Sequence, residues 1–71
     1  MYYLATFMGL HQGNSRQVYL MVRAQISSSD QTPIATMIKT AKHTIQNPVL
    51  IYSRVITQED YEALSPNVSE I

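Results

Sequence analysis

Residues 2–26 read YYLATFMGLHQGNSRQVYLMVRAQI, and how this stretch pairs with itself decides the fold. Tyr2 to Leu10 is apolar and aromatic with almost no polar alternation, the composition of a strand covered on both faces and therefore central in its sheet. Gln17 to Ile26 alternates instead. Val18, Leu20, Val22, Ala24 and Ile26 fall on one side, with Gln17, Tyr19, Met21, Arg23 and Gln25 on the other, as in a half-buried strand. Between them, residues 11–16 form a loop around Gly13-Asn14. With that loop, Leu10 pairs with Gln17 and the numbers of every opposed pair add up to 27. Tyr3, Ala5 and Phe7 then share a face with Val18, Leu20, Val22 and Ala24. A slip of one residue would send the whole set to the other face.

Working outward from the hairpin, Ser27 to Gln31 is a polar connector, and Thr32-Pro33 has the form of an N-cap with proline at the first helical position. Ile34, Met37, Ile38, Ala41 and Ile45 repeat at helical spacing and predict one amphipathic helix, stopped by Asn47-Pro48. Val49 to Thr57 reads as a third strand. Thr57-Gln58-Glu59-Asp60 resembles a capping box with aspartate in its last position, and predicts a short helix to Leu64 that ends at Ser65-Pro66. The fold class expected is α+β, in the order β-β-α-β-α. It consists of a small, three-stranded, mainly antiparallel sheet with one helix packed on one face and a short C-terminal helix. Residues 1–65 form a single domain and residues 66–71 a frayed tail. The apolar first strand sits in the middle, and Val49, Ile51 and Val55 are expected to join the face that receives the helix stripe.

The chain has 71 residues, 45% of them apolar and 14% charged, which is too apolar for disorder and under-charged for a monomer's surface. A domain of this size buries only roughly 60% of the surface its unfolded chain exposes. Without a single cysteine, disulfides and thiolate chemistry are excluded, so self-association is the expected support for so small a core. Met1 to Leu10 lacks the basic start and cleavage site of a secretory leader and is about half the length of a membrane span, so the location expected is cytoplasmic. The net charge of zero divides unevenly. Arg16, Arg23, Lys39, Lys42 and Arg54 stand against Asp30 in the body, whereas Glu59, Asp60, Glu62 and Glu70 cluster at the end. Glu59, Asp60 and Glu62 sit where a helix N-terminus favours negative charge, and the alternative use of this acidic end is to compete with an anionic ligand for the basic body.

No motif for catalysis is present. His11 and His43 have no second ligand at helical spacing, which argues against a metal site. The serines at 27–29 read as connector residues, and the adjacent Glu59 and Asp60 point in different directions. Gly9 and Gly13 cannot write a phosphate-binding loop. The expectation is a non-enzymatic protein without a cofactor. What the sequence does offer is a sheet face that one helix leaves open, carrying Tyr2, Leu4, Met8, Tyr19, Met21, Arg23, Leu50, Tyr52 and Arg54, beside Thr6 and Ile56. Tyr, Met and Arg are the types enriched at interface cores, and contiguous apolar patches on small proteins mark interaction sites. The expected role is therefore an interaction or regulatory protein, homodimeric through this face or binding another protein through it. The competing use of the same face is weak binding of single-stranded nucleic acid, with Tyr19 and Tyr52 stacking bases and Arg23 and Arg54 meeting phosphates. A third outcome is that the C-terminal helix covers part of the face with Tyr61 and Leu64.

Overall fold

The computed structural model describes residues 1–65 and, as backbone, 67–70. Strands β1 (Tyr2–His11) and β2 (Gln17–Gln25) form the antiparallel hairpin, followed by helix α1 (Pro33–Ala41), strand β3 (Ile45–Ile56), helix α2 (Gln58–Ala63) and strand β4 (Asn67–Glu70). The sheet order is β3-β1-β2-β4, with all three pairings antiparallel. β1 is thus central, as its composition requires. The hairpin register runs from Tyr2 opposite Gln25 to Leu10 opposite Gln17, so the register read from the loop length is the register adopted. At the tip, Asn14 Oδ1 accepts from the Arg16 amide at 3.0 Å, and Ser15 takes a φ of 57° to close the turn.

The core follows from this register. Ala5 and Phe7 of β1, Val18, Leu20 and Val22 of β2, and Ile26 beyond it lie on one side of the sheet under Met37 and Ala41 of α1. Tyr3, Ala24 and Ile38 pack around the margin. Phe7 and Met37 are fully buried, and each contributes about 1.5–3 kcal/mol by leaving water. Pro33 opens α1, and Thr32 occupies its N-cap position without a side-chain capping bond. The acceptor there is Asp30, whose carboxylate takes the Thr32 amide at 2.8 Å and the Thr36 hydroxyl at 2.8 Å. These bonds to the ionised form hold the Asp30 carboxyl below its ordinary value, the Thr32 amide contributing most. α2 starts as its capping sequence predicts, with Thr57 Oγ1 accepting from the Asp60 amide at 3.1 Å.

β3 departs from expectation in three ways. First, α1 ends at Ala41, and Ile45 opens the strand instead of extending the helix; its side chain is fully buried in the same core either way. Second, Asn47-Pro48 interrupts no helix but lies inside β3, an edge strand, where a missing amide proton is tolerated. Asn47 takes a φ of 53° there, and the pairing with β1 shifts register between Met8 and Leu10. β1 carries Gly9 at this crossing because a Cβ would meet the Gln46 carbonyl oxygen at 2.6 Å. Third, a further shift between Thr6 and Phe7 sets Leu50 opposite Phe7, moving it from the open face to the helix side. Val49, Ile51 and Val55, expected in the core, are each more than half exposed. Val49 is carried to the face away from α1, opposite Met8, whereas Val55 keeps the α1 side but lies beyond the helix: the nine residues of α1 span about 13 Å, and the twelve of β3 run about 40 Å along the sheet edge.

The C-terminal residues differ as well. Where a frayed tail was expected, the backbone of Asn67–Glu70 pairs with Val18–Met21 and adds a fourth strand to the sheet. Pro66 and Ile71, also assigned to that tail, lie outside the described residues.

Candidate interaction surface

The side of the sheet opposite α1 carries the alternate residues of each strand. Register places Tyr2, Leu4, Thr6 and Met8 of β1 beside Tyr19, Met21 and Arg23 of β2, and beside Tyr52, Arg54 and Ile56 of β3. Leu50, expected in this group, is the one member the β3 irregularity removes. α2 covers one end of the face. Its Tyr61 ring lies 4.9 Å from the Tyr2 ring at an interplanar angle of 49°, a tilted aromatic pair. The Arg23 guanidinium sits 4.5 Å above the same Tyr61 ring and also donates to the Tyr61 carbonyl oxygen. Ile56, on the same face at this end, is buried without belonging to the main core cluster. Tyr2 and Arg23 are therefore structural groups that dock a helix, half-buried and occupied.

The remainder of the face is open. Met8 and Met21 are half-buried, while Tyr19 and Tyr52 are 39% and 50% exposed and Arg54 is exposed. Tyr19 stands on β2 opposite Met8, and Tyr52 on β3 opposite Thr6, so β1 separates them. The sheet spacings put their Cα positions about 12 Å apart, too far for the two rings to form one stacking platform. The densest apolar exposure lies to one side of this face. Of the seven large hydrophobic residues exposed among the described residues, Val49, Leu50, Ile51, Tyr52 and Val55 all belong to β3. They occupy both sides of the sheet: Val49 and Tyr52 face away from α1, and Leu50 and Val55 face the α1 side. The apolar surface therefore wraps around the β3 edge. Composition does show the run Val49-Leu50-Ile51, but only the reach of α1 reveals that it stays uncovered.

Elsewhere the chemistry-bearing residues have structural partners. Ser27 and Ser29 share a hydroxyl contact of 2.8 Å, and the Asp30 carboxylate beside them is directed at Thr32 and Thr36, so no base faces either serine. His11 accepts the Gly13 amide on Nδ1 at 3.0 Å, which fixes the hairpin loop. His43 is exposed in the turn after α1. Glu59 and Asp60 occupy the first turn of α2, where the helix dipole favours them. No three His, Asp or Glu side chains converge among the described residues. A shallow depression lined by Gln12, Lys42, Ile45, Gln46 and Asn47 lies at the hairpin tip and holds no pair of groups arranged for proton transfer. Among the described residues, no helix is long and apolar enough to cross a membrane. No protein-family model, no curated protein and no solved structure matches this chain.

Proposed function

We propose that the chain is a small, non-enzymatic interaction protein of the cytoplasm that works as a homodimer through the part of its sheet that α2 leaves uncovered. The observation that carries this reading is the gathering of exposed large apolar side chains on β3 and the adjoining open face, in a chain with only ten charged residues. Water-exposed Val, Leu, Ile and Tyr in one contiguous patch gain free energy by association at roughly 25 cal/mol for each Å² of apolar area covered. Tyr52 and Arg54 supply the aromatic and guanidinium groups that concentrate binding energy at interface centres.

The same two residues favour the second reading, a single-stranded nucleic acid held by Tyr52 and Arg54, with Tyr19 as a separate stacking site. That reading is supported less well. Arg23 is engaged with Tyr61, which leaves Arg54 the only cation at the centre of the face. One phosphate contact gives little affinity at physiological salt. Light scattering after size exclusion, across a tenfold dilution, tests the two readings. A mass twice that of one chain, reduced to that of one chain by Tyr52→Glu, supports the homodimer. A single-chain mass in the wild type, with oligothymidylate binding lost in Arg54→Ala, would establish the nucleic-acid reading in its place.

A further inference from the structure

An edge strand presents a row of backbone N–H and C=O groups that can template pairing with another chain, and natural sheets blunt such edges. One edge of this sheet is blunted by brevity, since β4 has four residues. The other edge, β3, has twelve. Its deterrents, the turned backbone of Asn47, Pro48 and the irregularity at Ile51, stand in its first half, and from Tyr52 to Ile56 its pairing with β1 is regular. From Val49 to Ile56 it carries no proline, lysine or acid, and Arg54 is its single charge.

We propose that two copies join edge to edge, β3 against β3, across a two-fold axis at Ser53. This deepens the homodimer reading and rests on it. The partner is a second copy because the segment complements itself. An antiparallel pairing centred on Ser53 sets Arg54 of each copy opposite Tyr52 of the other, and both lie on the sheet face away from α1. Each guanidinium then meets an aromatic ring rather than its own counterpart, giving two cation–π contacts and no like-charge opposition. The same register sets Val55, which faces the α1 side, opposite Ile51 of the other copy.

The pattern of exposure separates this arrangement from face-to-face stacking. A partner lying on the open face would cover Tyr52 and leave Leu50 and Val55, at 37% and 51% exposure, in water on the opposite side. An added strand covers both sides at once. The five exposed β3 side chains and the backbone edge between them are the surface such a strand covers. An interface of one added strand lies at the small end of specific interfaces, so the dimer dissociates on dilution. Joining the edges makes one continuous sheet from two sets of four strands.

Cysteine placement tests the register directly, because the chain contains no cysteine of its own. Residues opposed across an antiparallel pair have Cα atoms roughly 4.5–5.5 Å apart, within disulfide reach. Ser53→Cys is expected to oxidise to a covalent dimer with native far-ultraviolet circular dichroism, whereas Tyr19→Cys, two strands away on the open face, remains uncrosslinked. In parallel, Val55→Lys, at an already exposed position, is expected to lower the solution mass to that of one chain, and Tyr19→Glu to leave it doubled. The reverse pattern, a dimer that survives Val55→Lys but is split by Tyr19→Glu, would overturn edge pairing while keeping the homodimer. A wild-type mass of one chain at all concentrations, with no Ser53→Cys crosslink, would overturn both.

Discussion

Removing Tyr61 isolates what holds α2 on the sheet. The Tyr61→Ala change deletes the tilted contact with Tyr2 and the ring beneath Arg23, but leaves the backbone carbonyl to which Arg23 donates. The aromatic pair accounts for about 0.5–1.5 kcal/mol and the cation–π contact at a partly exposed site for about 0.5–1 kcal/mol. Lost burial of the half-covered ring adds about 1 kcal/mol once the area shared with those contacts is discounted. The expected loss is about 2–3.5 kcal/mol, and for a domain of this size it lowers the melting temperature by roughly 10–25 °C. α2 has no fully buried residue, so nothing else on the helix can take over the docking. The assay is urea unfolding followed by circular dichroism, with Tyr61→Phe as the control that keeps the ring and should stay within about 0.5 kcal/mol of wild type. A Tyr61→Ala loss below about 0.5 kcal/mol would show that the helix docks by other means.

Three further outcomes are expected. Gly9→Ala places a Cβ against the Gln46 carbonyl and should cost about 1–3 kcal/mol in denaturant unfolding, more than alanine costs at the exposed Gly13; equal effects would refute the close approach. Phe7→Ala empties the centre of the core, and at about 3–5 kcal/mol should leave a domain this small largely unfolded at 37 °C; a cooperative melt near wild type would place the core elsewhere. Asp30 has a lowered pKa in the folded chain, so its bonds stabilise the fold above the ordinary value of 3.8, and that contribution disappears as pH falls through the lower folded value. Asp30→Asn should therefore lower the melting temperature at neutral pH and reduce the drop seen on acidification below that value; an acid profile identical to wild type would remove Asp30 from the start of α1.

The hairpin was legible because loop length and alternation act locally: once residues 11–16 are a loop, opposed pairs are fixed and every inward side chain follows. The Thr57 cap was legible for the same reason, since it spans three residues. β3 was not. Ile45 continues the helical spacing, and nothing within five residues of it signals that the strand begins there. The displacement of Leu50 arises from register shifts along β1, a strand some forty residues earlier in the chain. β4 is similarly invisible, because four residues after a proline have no period to read. A cover of part of the open face by Tyr61 and Leu64 is one of three outcomes the sequence leaves open, and Tyr61 does cover part of it. Its pairing with Arg23, 38 residues away, is a fact of packing that no local pattern contains. Tyr2 and Arg23, expected on the open face, lie against α2 for this reason.

The hairpin loop also acts at a distance. Gln12 donates through Nε2 to the Lys42 carbonyl at 2.6 Å and through its amide to the Thr44 carbonyl at 3.1 Å. The last carbonyls of α1 are taken by the turn that follows it, Ile38 by the Lys42 amide, Thr40 by that of His43 and Ala41 by that of Thr44, so the hairpin tip supplies partners to the Lys42 and Thr44 carbonyls of the turn itself. A helix of nine residues is poorly self-sufficient, and the turn that ends it is held from some thirty residues earlier in the chain. The expected order of events is that the hairpin closes first on local contacts, that its tip then holds the turn at residues 42–44, and that β3 pairs along β1 last. Amide hydrogens in the turn after α1 should consequently exchange no more slowly than those of the hairpin loop, and a lengthened loop should delay the arrival of the third strand without changing where it lands.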